Sequence, residues 1–394
     1  MRRLLAFASL GLSASLAIIA FPATLSAQSS QFGIRGLGYP NLPYSSRARA
    51  MGGASGLFDP ESGLNPASLA YLTEMTAGFS VLNDRRVVES PAGTGNVRSM
   101  RFPLFSIASP IRKLPIAVGV GVSTYLARDF SASFRDTIDI RGVPTATVDT
   151  LTSTGGISDL HATVVWRIDP RTAVGGAIHA FSGVERITRV RYFQDTGYVS
   201  IQESSEVSAD GVGFDLGFIK RLSGRLSLAG VVRSDGHLSP RRDSLTATQY
   251  RVDLPVSVAV GAQWRPGLRL MLAGQARWQG WGSSDADLRA VGSTGANNTW
   301  EVGFGGELVR HLERPSRYPV RFGVRHLTLP FPLLAGGHPA ETSAALGTGM
   351  TFKDGMGGID ASLERVWRSE GSDFSEHAWL FSLTATLRPN RRSR

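Results

Sequence analysis

The chain of 394 residues has no cysteine, so no disulfide holds it together. Backbone pairing and burial must supply its stability instead. Lysine is nearly absent as well; Lys113, Lys220 and Lys353 are the only ones, so the net charge of +10 is carried by arginine. Those arginines are spread through alternating segments and form no basic stripe, which argues against nucleic acid as a partner. Beyond the N-terminus no run of about eighteen apolar residues occurs, which excludes a transmembrane helix there. The histidines show no paired metal-ligand spacing. Asp159-Leu160-His161 comes nearest to an acid–base pair, but a strand puts both on one face with no nucleophile in the pattern. Gly303-Phe304-Gly305-Gly306-Glu307 lies in a strand pattern, not in a strand–turn–helix setting, so it is no dinucleotide loop. A non-enzyme is expected, with no catalytic residue, metal or cofactor.

What is present points to export and to strands. Met1-Arg2-Arg3 and the apolar, small-residue run after it read as a signal peptide over residues 1–27, cleaved before Gln28. An uncleaved anchor is the alternative; Pro22 and the small residues at the end favour cleavage. In Val252 to Trp281, Val256, Val258 and Val260 alternate with Ser257 and Gln263, then Leu270, Leu272 and Trp278 with Arg269, Gln275 and Arg277. A period of two across the turn Arg265-Pro266-Gly267 makes an antiparallel hairpin. Strands of about ten residues ending in Trp264, Trp278 and Trp281 match those of an outer-membrane barrel with interfacial aromatics. A mean hydropathy near zero fits, because half of each barrel strand avoids lipid.

Residues 28–74 are rich in Gly, Ser, Ala and Pro and lack sustained alternation. They form a separate N-terminal segment with a short helix near Pro66–Tyr71, where Asn65-Pro66 supplies cap and first helical residue. Residues 75–387 hold fourteen alternating segments: 75–83, 97–109, 115–128, 157–168, 172–184, 211–222, 225–234, 252–264, 268–281, 300–312, 319–328, 344–352, 357–368 and 377–387. Long links alternate with short ones such as Asp169–Arg171, Arg265–Gly267 and Lys353–Met356. Short turns on one side and long loops on the other characterise bacterial outer-membrane barrels, and the termini fall on the short-link side. The long links 129–156 and 185–210 alternate internally, so they extend their strands or add a hairpin, which leaves the count between 12 and 16. Residues 388–394, with Arg388, Arg391, Arg392 and Arg394, form a basic tail.

Two stretches carry a resemblance. Ala48-Arg49-Ala50-Met51-Gly52-Gly53-Ala54, followed by Asn65-Pro66-Ala67-Ser68-Leu69-Ala70, resembles the N-terminal signature of the FadL-type long-chain fatty acid and hydrocarbon transporter superfamily. Ser68 stands where that signature usually has glycine. Leu254-Pro255 through Trp264-Arg265-Pro266, then Leu268-Arg269-Leu270 and Trp281, is similar to a second pattern of the superfamily. The resemblance implies an all-β, fourteen-stranded antiparallel transmembrane barrel with the N-terminal segment folded inside as a hatch. It also implies passive uptake of hydrophobic small molecules, which leave sideways through the wall into the bilayer. The same signature occurs in PorV-type barrels of protein secretion, so a secretion or surface-attachment component is the alternative; a purely structural barrel is a third reading.

Gly52, Gly53, Asn65, Pro66 and Ala67 are the hatch-motif residues; a disordered leader is the competing reading. Pro103, with the small residues Gly119 and Gly121 on the next strand, marks the candidate lateral exit. Equally, Pro103 ends a strand and the glycines make room for the hatch. Arg265, Arg269 and Arg277 are candidates to hold a ligand carboxylate, or else they pair with Asp253, Asp287 or hatch carboxylates. The expected setting is the outer membrane of a Gram-negative-type cell. The expected partners are a hydrophobic ligand, outer-membrane lipid and lipopolysaccharide, with no nucleic acid and a monomeric chain.

Overall fold

The computed structural model describes residues 30–389 except 92, 196, 243–250, 314–316 and 353–354. The expected signal peptide and Arg391, Arg392 and Arg394 of the tail lie outside the described residues. In chain order the strands are β1 (Tyr39–Pro40), β2 (Thr76–Ser90), β3 (Gly93–Pro110), β4 (Ile116–Ala127), β5 (Phe130–Ile140) and β6 (Val143–Arg167). Then come β7 (Thr172–Phe193), β8 (Ile201–Arg221), β9 (Leu226–Ser234), β10 (His237–Arg242), β11 (Val252–Asp253) and β12 (Val256–Trp264). The last six are β13 (Leu270–Gln279), β14 (Thr299–Leu308), β15 (Val320–Thr328), β16 (Ala340–Phe352), β17 (Gly357–Glu370) and β18 (Phe374–Leu387). Three wall strands are each broken into two pieces, β4 with β5, β9 with β10 and β11 with β12. The wall is therefore a closed antiparallel barrel of fourteen strands. Pairing of β18 with β2, from Ser375↔Glu89 to Leu387↔Ala77, closes it.

Alternation explains which way each strand faces. On β18, Ala378, Leu380, Ser382 and Thr384 are buried inward while Trp379, Phe381 and Leu383 are exposed outward. The same alternation runs through β8, where Val212, Phe214, Leu216 and Phe218 point out and Asp215 is buried. An apolar belt outside and polar side chains inside mark a membrane barrel of the outer-membrane type. On β12, Val256, Val258 and Val260 are exposed, and Val258 sits between Val232 and Trp278. Arginine at Val258 is expected to cost about 2–4 kcal/mol of insertion if the residue lies near the midplane. Arginine at half-buried Gln263, on the other face, is expected to be mild. Comparing folding yields of Val258→Arg and Gln263→Arg in liposomes checks the register; equal yields would contradict it.

The long links divide into two kinds. Those at 84–96, 129–156, 185–210 and 369–376 are mostly strand, because β2–β3, β5–β6, β7–β8 and β17–β18 run on as hairpins. The internal alternation of 129–156 and 185–210 thus marks strands that run on beyond the membrane belt, not an added membrane hairpin. Hydroxyl pairs replace apolar ones there, Ser133 with Thr150 at 2.9 Å and Ser131 with Thr152 at 3.3 Å. Buried Asp149 accepts hydrogen bonds from Arg191 and Arg189, each at 2.6 Å, which hold its carboxyl below the usual carboxylate range. The links at 280–298 and 329–339 instead fold over the mouth. Trp281, Leu288, Ala296 and Phe331 pack there with Leu126, Ile157, Phe181, Leu238, Val252 and Leu254. Trp281 is therefore no interfacial aromatic: the chain leaves β13 at Gly280, and the indole turns inward to 1 % exposure. Val252 and Leu254 are buried in the same cap, whereas Trp264 stays outward.

Candidate functional site: the luminal segment and the wall seam

Residues 30–72 run from the long-link end of the barrel down through its lumen to the short-link end. Ser30 Oγ and the Gln31 amide donate to Glu376 at 2.7 and 2.6 Å, near the outer end of β18. The described N-terminus therefore lies at the long-link end, opposite to the short-link side expected of both termini. A buried carboxylate that accepts these donors holds it there. Leu387 at the end of β18 does lie at the short-link end, beside Gly357 and Ala77.

The motif residues occupy close contacts. Gly52 and Gly53 have φ of 61° and 78°, a region that residues with a Cβ resist. A Cβ on Gly53 would come within 2.9 Å of the Tyr44 ring. On the facing wall, a Cβ at Gly303, Gly305 or Gly323 would overlap the Met51–Gly52 backbone. Asn65 caps the short 3-10 helix Pro66–Tyr71 by accepting from the Ala67 amide at 3.0 Å. Its amide also donates to Leu57 O at 2.9 Å and Phe218 O at 3.3 Å, which ties the helix to β8.

Charge fills the rest of the lumen. Arg325 donates to Glu341 and Glu364 at 2.8 and 2.9 Å, and Arg368 to Glu341 and Glu376 at 2.6 and 3.0 Å. Arg49 of the luminal segment lies 3.5 Å from Glu364. Asp84 pairs with Arg86 and, at 3.4 Å, with Arg101. The cavities left on either side of Tyr39–Leu42 are about 40 and 60 Å³, and a third beside Gly119 and His161 is about 30 Å³. Such spaces hold a few waters, not a ligand, whose pocket needs about 300 Å³ or more. The large apolar hollow, about 720 Å³, lies on the lipid face against Phe304, Phe322, Leu346 and Trp379 and is bilayer-facing wall.

The arginine candidates do not gather. Arg265 and Arg269 are exposed in the turn between β12 and β13, where the chain leaves the wall and strand parity no longer applies. Arg277 alone is luminal, buried and 3.6 Å from Glu301. Asp253 and Asp287 are not its partners: Asp253 lies 3.6 Å from Arg251, and its amide donates to Asp287.

The wall itself has a seam. β3 pairs with β4 only from Leu104↔Ser123 to Pro110↔Ala117. Above that point Gly93–Arg101 pair with β2 alone, and a register shift between Ser80 and Leu82 falls opposite Phe102-Pro103. A residue without an amide donor thus sits where the two strands part. In place of β3, the luminal strand β1 takes the edge of β4, with Pro40↔Leu126 and Tyr39↔Ala127. Asn41 adds two bonds of 3.0 Å, from its amide to Tyr125 O and from its side chain to Thr124 O. Gly119 and Gly121 lie below this fork, in the zipped part. A Cβ there would meet Leu69 Cδ1 at 2.8 Å or His161 Nε2 at 2.6 Å, so both glycines make room for neighbours, and Gly119 also borders the 30 Å³ cavity.

Spacing along the chain gave no sign of one cluster. Asp159, His161 and His179 come together from β6 and β7, with Asp215 of β8 and Arg233 of β9 around them. Strand pairing assembles it, and only Asp159 and His161 are close in sequence, with Leu160 between them.

A family model described as BamG matches residues 10–237, more than half of the sequence. The chain belongs to the BamG family. A comparison with curated proteins gave no match for this BamG-family chain. Among solved structures it is similar to a Pseudomonas aeruginosa FadL homologue, at 14 % identity and a TM-score of 0.61, covering 89 % of this chain and 99 % of that one. The Pseudomonas putida toluene transporter TodX matches at 11 % identity and 0.56, covering 89 % and 99 %. The monoaromatic hydrocarbon channel CymD matches at 15 % and 0.55, covering 89 % and 98 %. At these identities the likeness establishes the FadL-type barrel fold, and the BamG-family chain shares it.

Proposed function

We propose that the protein admits hydrophobic small molecules, long-chain fatty acids or hydrocarbons, passively across the outer membrane through the seam above Pro103. The observation that carries this reading is the fork itself. Above Leu104 and Ser123 the β3–β4 ladder is missing, and a two-residue strand of the luminal segment covers the edge of β4. A closed wall leaves an apolar ligand no way into hydrocarbon, and a broken ladder supplies one. The passage is closed in this conformation, so displacement of residues 39–43 is the opening step. The neighbours of this fold named as toluene and hydrocarbon channels support the substrate class.

A disulfide tests the step. Pro40 and Leu126 are Cα partners next to the hydrogen-bonded pair Asn41/Tyr125, a position that brings side chains close. The chain has no native cysteine to interfere. Pro40→Cys with Leu126→Cys is expected to abolish uptake of a fluorescent fatty acid into liposomes when oxidised and restore it on reduction. Equal flux in both states would contradict the gate.

The second reading is a barrel that binds a protein partner for secretion or surface attachment. The ion-paired lumen, where the cavities beside Tyr39–Leu42 are about 40 and 60 Å³, favours it. Absence of flux in the reduced, folded protein would support that reading.

A further inference from the structure

We propose that Asp159, His161 and His179 form a luminal site for a divalent metal ion of the zinc class. Asp159 and His161 share the inward face of β6, and His179 is the cross-strand partner of His161 on β7. All three are buried, at 3 %, 9 % and 1 % exposure, and one ligand atom from each lies within 4.8 Å of the others. His179 Nδ1 is 2.8 Å and His161 Nδ1 3.9 Å from Asp159 Oδ1. A tetrahedral zinc ion with bonds of about 2.0–2.2 Å spaces its ligands roughly 3.3 Å apart, so rotamer-scale adjustments admit it.

Two further observations point to a ligand. His161 Nδ1 is buried without a hydrogen-bond partner although it faces the carboxylate, an arrangement that costs free energy unless something binds there. The surroundings also have the form of a metal site's supporting shell. His179 Nε2 faces Asp215 Oδ2 at 3.1 Å, and Arg233 Nη2 donates to the second oxygen of Asp159 at 2.9 Å. Metal-bound imidazoles usually donate their other N–H to a carboxylate, and ligating carboxylates are themselves hydrogen-bonded. Arg233 also bonds Asp235, and Asp215 is its cross-strand partner on β8, so three carboxylates share the neighbourhood of this one guanidinium. A dication balances that surplus while both histidines stay neutral. Imidazole and carboxylate without thiolate suit zinc over copper(I), and two imidazoles disfavour magnesium and calcium. The 30 Å³ cavity against His161, His179, Ser62, Gly63 and Ser106 has room for a water beside the two imidazoles. The ion would fasten β6 to β7 beside Gly63 of the luminal segment.

The untagged full-length protein, purified in detergent and stripped with chelator, is to be titrated with Zn²⁺ and, as a spectroscopic probe, Co²⁺. One zinc per chain by elemental analysis and tetrahedral Co²⁺ absorption saturating at one equivalent are expected. His161→Ala, which removes no bond through Nδ1, should keep heat-modifiable gel migration and lose at least tenfold in affinity. If that variant fails to fold, Asp215→Asn is measured instead; loss of its support should weaken binding about 10–100-fold. A folded wild type without stoichiometric metal overturns the site, as does a folded variant that binds like wild type.

Discussion

Removal of residues 28–70 is expected to turn a silent barrel into one that conducts small ions. The described part of this segment occupies the lumen along most of its length, and its contacts with the wall are hydrogen bonds and close packing without covalent links. Ser46 bonds Thr384 and Ser382, Arg47 bonds Glu307, and Asn65 bonds Phe218 O. The wall closes on itself without it through β18 and β2. Once it is gone, Arg325, Glu341, Glu364 and Arg368 line an aqueous channel and are hydrated by bulk water. Planar-bilayer recordings of the folded deletion should show steady conductance that the full chain lacks. A folded deletion that stays silent would show that wall side chains alone fill the lumen.

The second large effect is on stability. Arg325→Met is expected to cost on the order of 3–5 kcal/mol, because it strips a buried cation from two buried carboxylates. Arg325 is 4 % exposed and bridges Glu341 and Glu364, themselves 2 % and 1 % exposed. Glu341 keeps Arg368, whereas Glu364 keeps only the longer contact with Arg49. The double variant Arg325→Met with Glu364→Gln should therefore recover part of the loss, since the uncompensated charge is removed with its partner. Urea unfolding in liposomes measures both. A loss below about 1 kcal/mol in the single variant would mean that water reaches this network and screens it.

The wall was legible in the sequence because lipid imposes a period of two wherever a strand crosses it. The alternation of Val256, Val258 and Val260 with Ser257 and Ala259 has that cause. Where lipid ends, the period no longer separates a membrane strand from its extension. Residues 130–140, 143–153 and 185–193 are strand, and their alternation was readable, but Ser131, Ser133, Thr150 and Thr152 pair through hydroxyls, so alternation alone left an added membrane hairpin open. Carrying parity through the turn at Pro266 placed Arg265 and Arg269 in the lumen, although a turn breaks the period on which parity depends. Trp281 looked like a girdle residue because its departure from the strand is set by a tertiary contact, its ring meeting Phe331 edge-on at 5.1 Å. In the N-terminal segment, Gly52, Gly53 and the Asn65-Pro66 cap were readable because backbone conformation demands those residue types. Pro103 was readable as a break in the ladder. Its consequence was not, since the strand that takes the place of β3 beside β4 comes from Tyr39–Pro40, far upstream in the chain. The clustering of Asp159, His161, His179 and Asp215 depends on the registers of three strands, which composition and spacing do not encode.

Amide hydrogen exchange across the seam, with and without an apolar ligand such as a long-chain fatty acid, separates a gated seam from a fixed wall. Residues 38–43 and 124–128 are held together by β1–β4 pairing and the Asn41 bonds, whereas 104–110 and 117–123 form the zipped ladder below. Ligand is predicted to speed exchange in the first two stretches and leave the ladder protected. Unchanged protection at Asn41 and Leu126, under conditions in which the ligand crosses the membrane, would contradict a gate at this seam.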